Sequence, residues 1–457
     1  MEIVKDIKRE IFKDYDIRGK YPEEINKDIA YTIGKSYGSM LVSQNKDKCV
    51  VAYDNRYSSL ELSLALTLGI LSTGVNVVSL GLATTPMAIY AKEILKCPSY
   101  IMVTASHNSK DENGFKFSFG EQGNVRGSEI QDFYEFTKNC NFVNGIGRFS
   151  KYDIKNDYLS LYRNDIKLGN KKLKVVLDLA NATTTCIARH VFEMFDLDLT
   201  IIHEENDSSF PNHHPDPSIS ENLMQLKNEV LKLNADIGIS FDCDGDNIGI
   251  IDDKGNIVKP DIYMAIMCKD IILNNDDKRI LYDVKCSSAL KNEIVKWGGI
   301  PVCYRTGVSY TFSKVVDDKI PFGGEYSGHI YFNDRITATG SAIYAALRLI
   351  ELLSKSEEKL SEYVARIDKY YSTDEIKIDS SNKIKHKVMD EIKKYCRKMR
   401  FNIDDTDGVK IIKDDSWALI RVSNTGPYIT ARFESYNEDK LVSIQREFIN
   451  LIKYFNK

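Results

Sequence analysis

The chain has 457 residues, of which 43% are hydrophobic and 28% are charged. This length exceeds what one hydrophobic core can organise, so we expect three or four domains of about 100 to 200 residues each. The 62 basic and 66 acidic residues leave a net charge of −4, which argues against a global positive field for nucleic acid or an anionic membrane. A bound anion would therefore require a local pocket.

The first part of the chain alternates predicted strands and helices, as in a parallel α/β sheet. The segment 59–72 fits a strand period and a helix period equally well, but its length and a capping box of Ser58 and Glu61 favour a helix. The other predicted elements are a helix ending near residue 37, strands at 49–53, 75–80, 100–103 and 113–117, and a helix at 87–95.

Between two of these strands lies the polar segment TASHN, residues 104–108. Turn-forming residues between β-prone runs predict an exposed turn that presents the hydroxyl of Ser106. Such residues are often plain turn formers that bond their own backbone. His107 beside the serine, and Lys116 on the returning strand, favour instead a chemical role in acyl or phosphoryl transfer.

The alternation continues with strands at 173–179, 198–202 and 237–241 and helices at 184–195 and 222–233. The last of these strands leads into DCDGD, where Asp242, Asp244 and Asp246 occupy alternate positions. Alternate residues of an extended strand lie roughly 6.7 Å apart, too far to share one ion. Gly245 would allow the chain to curl and bring the three carboxylates together.

Three carboxylates about 5 Å apart repel one another by roughly 3 kcal/mol per pair at an effective dielectric constant of 20. A divalent cation would remove that repulsion, so we predict a Mg²⁺ site at this loop. A solvated acidic loop is the alternative, and an EF-hand fits less well because both flanks resemble strands. A hard cation also favours phosphoryl transfer over acyl transfer at Ser106.

Strands at 280–284 and 300–304 and helices at 261–273 and 341–354 complete a third unit. Within it, Glu325 and Ser327 flank one residue of the glycine-rich segment GGEYSGH. A carboxylate and a hydroxyl so placed could bind vicinal hydroxyls of a sugar, although such dipeptides are also common in plain turns.

The final stretch differs, with strands at 375–378, 409–412, 417–422 and 428–435 and helices at 383–400 and 437–455. This mixture predicts a smaller α+β domain with an antiparallel sheet. The loop RVSNTGP places Arg421 beside hydroxyl and amide donors, with Arg432 on the next strand. These groups suit a phosphate dianion, and a surface turn with a solvated arginine is the alternative.

The predicted fold class is therefore α/β, with three related α/β domains that have mixed sheets and a C-terminal α+β domain. The predicted domains are 1–150, 151–253, 254–367 and 368–457. Nine cysteines without a CxxC pair favour free thiols in a reducing compartment over disulfides or zinc. With no apolar run of 18 residues and no apolar leader, we expect a cytoplasmic protein that binds neither nucleic acid nor membrane.

Taken together, the four motifs resemble those of the α-D-phosphohexomutases, which include phosphomannomutase, phosphoglucomutase and phosphoglucosamine mutase. The resemblance follows the family's order through TASHNSKDENGFK, DCDGD, GGEYSGH and RVSNTGPYITARFE, with lesser matches at YDIRG and FPNHHPDPS. It implies a heart-shaped protein of four domains around a central cleft. It also implies that a phosphorylated Ser106 exchanges phosphate with a hexose 1- or 6-phosphate, by way of a bisphosphate that turns over in the cleft.

The resemblance further implies roles for individual residues. The Mg²⁺ ligands would be Ser106, Asp242, Asp244 and Asp246. The catalytic group would be Ser106, His107, Lys116 and Arg18. The substrate-binding group would be Tyr15, Lys285, Glu325, Ser327, His329, Arg421, Ser423, Asn424, Thr425 and Arg432. Glucose 1,6-bisphosphate or an equivalent hexose bisphosphate would serve as activator.

Some positions depart from the family pattern. Asn247 stands where Arg is usual, and Val308 stands where many members that act on both mannose and glucose phosphates carry His. Gly426 and Tyr326 also differ or vary. We predict a phosphomannomutase or phosphoglucomutase, with a phosphoglucosamine mutase or a non-catalytic sugar-phosphate sensor as alternatives. The expected partners are small-molecule hexose phosphates, and the expected assembly is a monomer or a homodimer.

Overall fold

The structure is a computed structural model that describes residues 1–120, 123–381, 383–423 and 426–456. Four sheets of six, four, four and six strands follow one another along the chain. This arrangement confirms the multi-domain α/β fold that the alternation of strands and helices predicted. None of the helices within these ranges is long and apolar enough to cross a membrane.

The first sheet is mixed and has the strand order β1-β5-β4-β2-β3-β6. Its strands are β1 (Ile17–Lys20), β2 (Lys48–Tyr53), β3 (Asn76–Leu82), β4 (Tyr100–Val103), β5 (Glu112–Ser118) and β6 (Phe149–Lys151). Its helices are α1 (Lys27–Ser43), α2 (Ser59–Leu71), α3 (Thr85–Ile94) and α4 (Ser128–Asn139), after a 3-10 turn at Arg9–Ile11. Because β2 is parallel to β4, and β4 is antiparallel to β5, the turn that carries Ser106 lies at the carboxyl edge of β2.

The helix predicted at 59–72 is confirmed as α2, but the predicted capping box is wrong. Ser58 precedes the helix without a side-chain bond to a helix amide, and its hydroxyl instead accepts a hydrogen bond from Asn113 Nδ2 at 2.8 Å. The β5 side chain competes successfully for this hydroxyl because β5 passes directly beside the start of the helix.

The second sheet has the order β10-β9-β7-β8. Its elements are α5 (Lys155–Asp165), β7 (Lys174–Asp178), α6 (Ala188–Phe192), β8 (Asp198–Ile202), α7 (Met224–Leu233), β9 (Ile237–Phe241) and β10 (Ile248–Asp252). The single helix predicted at 184–195 is wrong, because a 3-10 turn at Thr183–Cys186 precedes the short α6. A second 3-10 turn, Ser220–Leu223, precedes α7.

The third sheet has the order β12-β11-β13-β14. Its strands are β11 (Arg279–Asp283), β12 (Ile300–Tyr304), β13 (Phe322–Gly324) and β14 (Ile330–Phe332). Its helices are α8 (Pro260–Asn274), α9 (Ser288–Lys296), α10 (Val308–Asp317), α11 (Ala342–Ser354) and α12 (Leu360–Ala365). β13 and β14 form a hairpin whose turn carries Glu325 and Ser327.

The C-terminal sheet contains only antiparallel pairs among the described strands, as predicted. Its strands are β15 (Tyr371–Ser372), β16 (Ile376–Asp379), β17 (Asn402–Asp404), β18 (Val409–Lys413), β19 (Ser416–Val422) and β20 (Tyr428–Ser435). Its helices are α13 (Lys385–Lys398) and α14 (Glu438–Phe455). Arg421 lies near the end of β19, so the loop to β20 leaves this sheet at the position of the predicted phosphate site.

The hydrophobic cores divide the molecule unequally. One continuous core joins Met102 of the first sheet, Ile239 of the second and Phe322 of the third. The C-terminal sheet has a separate core that includes Ile420 and Phe448. The first three sheets are therefore packed as one block, whereas the C-terminal unit has its own interior.

We propose that the four domains keep the predicted bounds, although β6 crosses the predicted boundary between the first and second domains.

Candidate functional site

The turn between β4 and β5 carries Ser106, whose residue is only 1% exposed. The prediction of an exposed hydroxyl is therefore wrong, because the second sheet supplies a loop that covers the turn. Ser106 Oγ donates a hydrogen bond to Asp242 Oδ2 at 2.8 Å. The serine nevertheless lines a cleft, and its φ of +51° is unusual for a residue other than glycine.

The covering loop is the DCDGD turn between the antiparallel strands β9 and β10. Gly245 has a φ of +77°, so the chain curls at the residue where curling was expected. Asp242 Oδ1 accepts hydrogen bonds from the amides of Gly245, Asp246 and Asn247 at 3.0 to 3.1 Å. One carboxylate oxygen from each of the three aspartates lies within 4.8 Å of the others.

Lys116 extends from β5 into this carboxylate cluster rather than to the serine hydroxyl. Its Nζ lies 2.8 Å from Asp244 Oδ2 and 2.7 Å from Asp246 Oδ2. Although burial opposes ionisation, the lysine lowers the pKa of both carboxyls below the usual range. The pKa of Asp242 is raised, because burial and the two neighbouring carboxylates disfavour its charge. The cluster thus retains more negative charge than one lysine balances.

The donor set fits a hard divalent cation. Asp244 Oδ1 is buried and accepts no hydrogen bond from any described residue, which leaves an oxygen available as a ligand. The neighbouring groups are two further carboxylates and the hydroxyl of Ser106, and oxygen ligands of this kind are those that Mg²⁺ prefers. Three carboxylates near one ammonium group also favour an additional positive charge.

A second cluster of potential ligands needs no ion. Asp178 Oδ1 lies 2.9 Å from His203 Nδ1, and Asp178 Oδ2 lies 2.8 Å from His213 Nε2. Hydrogen bonds therefore satisfy both carboxylate oxygens. His213 Nδ1 lies 3.0 Å from the carbonyl oxygen of His214. Asp178 raises the pKa of His213, although burial opposes the charge.

The hairpin turn between β13 and β14 approaches the carboxylate cluster from the third sheet. His329 Nε2 lies 3.3 Å from Asp246 Oδ1, and His329 Nδ1 lies 2.8 Å from Ser327 Oγ. Glu325 is 1% exposed, and its Oε1 accepts a hydrogen bond from the amide of Gly307 at 2.6 Å. Burial raises the pKa of Glu325. The predicted sugar loop therefore lies next to the predicted metal loop.

The N-terminal segment contributes Arg18 and Tyr15 to the same region. Arg18 Nη1 donates to the carbonyl oxygen of Ala105 at 3.0 Å and to Asn108 Oδ1 at 2.7 Å. His107 Nδ1 lies 3.4 Å from Ser106 Oγ. Burial, together with the positive charges of Arg18 and Lys116, lowers the pKa of His107.

At the other end of the site, each cation already has a carboxylate partner. Arg421 Nε and Nη2 lie 2.9 and 2.7 Å from Asp407 Oδ2. The same oxygen accepts a hydrogen bond from the amide of Thr306 at 2.9 Å, so it joins the third and fourth sheets. Lys285 Nζ lies 3.3 Å from Glu375 Oε2.

Two other residues of the predicted phosphate site, Arg432 and Ser423, make different contacts from those of Arg421. The Arg432 guanidinium stacks on Tyr326, 3.7 Å from the ring centroid, so it supports the sugar loop. Ser423 Oγ accepts a hydrogen bond from the amide of Gly426 at 3.0 Å. Asn424 and Thr425 lie outside the described residues.

A single cleft of about 490 Å³ connects most of these side chains. The predicted site residues that line it are Tyr15, Arg18, Ser106, His107, Lys116, Lys285, Glu325, Ser327 and His329. Sequence reasoning did not select the further lining residues Lys13, Asp16, Asn108, Glu112, Thr306, Gly307 and Tyr428. Val308 also lies on the wall. Most of the residues that line the cleft are polar or charged, whereas Val308 has an apolar side chain.

Sequence reasoning also missed three supporting residues: the buried Arg56 and the partly buried His214 and Asp407. The first follows β2 in the polar triplet Asp54-Asn55-Arg56, at the edge of the sheet where the Ser106 turn emerges. A polar triplet after a buried strand was the signal that could have identified it. Asp407 offers no comparable local signal, because its partner Arg421 is brought to it by the pairing of β18 with β19.

Known protein families match almost the whole chain. Four domain models described as phosphoglucomutase/phosphomannomutase match in order: alpha/beta/alpha domain I at 9–143, domain II at 156–255, domain III at 259–370 and the C-terminal domain at 373–451.

Individual relatives agree with these matches. The chain is 34% identical to a phosphomannomutase/phosphoglucomutase of Pseudomonas aeruginosa, across 97% of this chain and 95% of the relative. It is 32% identical to a phosphoglucomutase of Neisseria meningitidis, across 98% and 97% of the two chains. The crystal structure of a phosphoglucomutase/phosphomannomutase family protein from Burkholderia thailandensis superposes with a TM-score of 0.91 at 32% identity, covering 98% of each chain.

Proposed function

The chain belongs to the phosphoglucomutase/phosphomannomutase family, the α-D-phosphohexomutases, and from this premise we propose that it interconverts the 1- and 6-phosphates of mannose, glucose or both. The protein is a phosphohexomutase, an enzyme that transfers a phosphoryl group. The observation that carries the proposed site is the contact of Ser106 Oγ with Asp242 at the wall of a cleft that also contains Glu325 and Lys285.

In the proposed reaction, Ser106 carries the transferable phosphoryl group. The bond from serine oxygen to phosphorus breaks as a hydroxyl of the bound hexose phosphate forms a new bond to phosphorus. Lys116, buried among the carboxylates, stabilises the developing charge or moves the hydroxyl proton, and Arg18 and His107 flank the same turn. Ser106, Asp242, Asp244 and Asp246 would hold Mg²⁺, which neutralises phosphoryl charge when bound.

The other end of the substrate would stay fixed during transfer. Glu325 and Ser327 are proposed to bind two ring hydroxyls, because a buried acceptor and a hydroxyl project from one hairpin turn. Arg421 and Lys285, with the loop at 423–425, are proposed to hold the phosphate that is not reacting. The hexose bisphosphate formed on transfer would turn over in the cleft and return its second phosphoryl group to Ser106.

The similarity to a phosphomannomutase/phosphoglucomutase supports mannose and glucose phosphates as substrates. Asn247 and Val308 nevertheless favour a second candidate, a sugar-phosphate sensor without efficient turnover. Asn247 is uncharged, so this position supplies no cation, and both its side-chain polar atoms are buried and without a hydrogen bond to described residues.

The nine cysteines, all described, are free thiols, which favours a reducing compartment such as the cytoplasm.

One experiment separates the enzyme from the sensor. The purified protein is supplied with Mg²⁺, glucose 1,6-bisphosphate and, in turn, mannose, glucose and glucosamine 1-phosphates. We expect turnover of mannose or glucose 1-phosphate, and intact-mass analysis should find a fraction of the protein phosphorylated. Binding without turnover and without phosphorylation would instead establish the sensor, and a preference for glucosamine 1-phosphate would establish the third alternative.

A further inference from the structure

The carbonyl oxygens of the turn that carries Ser106 are held by side chains that are buried or partly buried. Arg56 Nη2 donates to the carbonyl oxygens of Ser106 at 2.5 Å and Asn108 at 2.7 Å. Arg56 Nη1 donates to those of Ser109 at 2.5 Å and Glu112 at 3.1 Å. One guanidinium thus binds four carbonyl groups of the turn.

Two other side chains hold the remaining carbonyls of the turn. His214 Nε2 lies 2.7 Å from the carbonyl oxygen of His107. Arg18 Nη1 donates to the carbonyl oxygen of Ala105 at 3.0 Å. All five consecutive carbonyl oxygens from 105 to 109 therefore contact a guanidinium or an imidazole group.

Both supports are themselves fixed in place. Arg56 has a fully buried side chain, and its Nε lies 3.2 Å from Asp54 Oδ2. The backbone carbonyl of His214 is held by the His213 side chain, which contacts Asp178 at the end of β7. His214 therefore connects the turn of the first sheet to a rigid part of the second.

The electrostatic consequence concerns the phosphoryl group on Ser106. Carbonyl oxygens carry partial negative charge and would repel phosphoryl oxygens, whereas amide groups attract them. The amide of His107 donates to no described residue, so it remains available to an anion. Holding the carbonyls in this way leaves the His107 amide and the neighbouring cations to interact with the phosphoryl group.

We propose that Arg56 and His214 are positioning residues for phosphoryl transfer at Ser106. They hold the turn by its carbonyl oxygens and keep Ser106 in its left-handed conformation, which costs free energy for a residue other than glycine and persists only when the surroundings impose it. His214 also sets the turn against the second sheet, which bears the aspartate loop. This inference rests on the proposed function.

The test compares three substitutions. His214→Leu removes the donor, His214→Gln retains an amide donor near the position of Nε2, and His190→Leu is the control at an exposed histidine of the same domain. We expect His214→Leu to lower kcat by about 10- to 100-fold with KM changed less than twofold, because small misplacements of a reacting group have effects of this size. His214→Gln should recover most of the loss, and His190→Leu should match the wild type.

A second readout follows the half-reaction directly. Glucose 1,6-bisphosphate is added to dephosphorylated protein, and intact mass reports the rate at which Ser106 is phosphorylated. This rate should fall in His214→Leu in proportion to kcat, while the Kd for glucose 1-phosphate and the Tm stay close to those of the wild type. A purely structural role of His214 would lower the Tm without this selective loss.

Arg56→Lys provides an independent variant, because one ammonium group keeps the charge but cannot reach four carbonyls. It should lower kcat more than His214→Leu does. If Arg56→Lys does not fold, the His214 variants alone test the proposal. Near-normal kcat in His214→Leu, a change confined to KM, or no recovery in His214→Gln would overturn the proposal. An inactive wild type would instead refute the proposed function, so the two failures are distinguishable.

Discussion

The two ends of the site differ in their balance of charged groups. Around Ser106, three buried acidic side chains meet one lysine and the imidazole of His329, and burial together with the neighbouring carboxylates raises the pKa of Asp242. At the far end, Arg421 contacts Asp407 and Lys285 contacts Glu375, so each cation has one carboxylate partner. The first end is therefore suited to attract a further cation, whereas the second must share its cations with an incoming phosphate.

The ends also differ in how they are built. The Ser106 turn and the aspartate loop belong to sheets that share one hydrophobic core, whereas Arg421 belongs to the separate core of the C-terminal unit. The amide of Thr306 and Arg421 meet at the same oxygen of Asp407, which connects that unit to the third sheet. We infer that the Ser106 end of the site, the transfer end, is rigid, and that the Arg421 end, the anchor end, is the more mobile of the two.

The largest effect should follow from removing the group at the centre of the transfer end. Ser106→Ala should lower turnover by at least about 10³-fold, because no oxygen remains to carry the phosphoryl group. Binding of glucose 1-phosphate, measured by calorimetry, should stay within about threefold, since the anchor end is unchanged. Ser109→Ala, at an exposed serine of the same turn, is the control, and near-normal turnover in Ser106→Ala would refute the assignment.

The carboxylate cluster at the transfer end is tested by Asp242→Asn. The amide oxygen can still accept the three backbone bonds that Asp242 Oδ1 now accepts, while the other oxygen becomes an amide nitrogen that cannot bind a cation. We expect the Mg²⁺ concentration for half-maximal activity to rise by about 10- to 100-fold. In buffer with a chelator, the Tm should stay equal or rise, because the amide adds no negative charge beside Asp244 and Asp246.

A fall in the Tm of chelator-treated Asp242→Asn would contradict this account. It would mean that the carboxylate contributes more through its hydrogen bonds than it costs through repulsion. Wild-type protein in the same buffer should lose activity and recover it when Mg²⁺ is restored.

An aspartate-to-asparagine substitution should weaken Mg²⁺ binding at the Ser106 end but strengthen phosphate binding at the Arg421 end. Asp407→Asn removes the negative charge that competes with phosphate for Arg421, so the Kd for glucose 1-phosphate should fall by about 3- to 10-fold, up to roughly 1.4 kcal/mol. Measuring binding in the Ser106→Ala background prevents turnover. Asp405→Asn, at a more exposed aspartate two residues away, should leave the Kd unchanged, and weaker binding in Asp407→Asn would show that orientation of Arg421 matters more than charge.

The smallest effect should come from the contact between Asp178 and His213, which holds His214 beside the Ser106 turn. Asp178 raises the pKa of His213 although burial opposes the charge, so this contribution to stability is complete below about pH 6.5 and is lost as the pH rises through the folded-state pKa. The pKa of Asp178 is lowered by the two histidines despite burial, so its contribution is present above about pH 4 and is lost on further acidification.

We therefore expect His213→Gln to lower the Tm most between about pH 4 and 6.5, by an amount that corresponds to about 1 to 3 kcal/mol for a hydrogen bond to a charged group. Above this window the difference from wild type should shrink. Scanning calorimetry across pH 4 to 9 measures it, with His190→Leu as the control. A difference that is constant with pH would show that the contact is not ionic.

Short-range information in the sequence specified most of the elements and the candidate residues of the site. The period of the apolar residues located β9 and β12 at their observed bounds, because the period depends only on neighbouring residues. The curl at Gly245 was equally local, since it reflects the freedom of one glycine. The motifs also selected Ser106, the three aspartates and Glu325 as candidates that the structure brings to one region, because each motif is contiguous in the chain.

Only the tertiary structure decided how these groups are paired. Ser106 is buried by Asp242, which lies 136 residues away, and Thr306 meets Asp407 across 101 residues. Local patterns contain no information about which charge will lie opposite another after the sheets assemble. For that reason the sequence singled out Arg421 but not Asp407 beside it, and Ser106 but not the arginine that holds its turn.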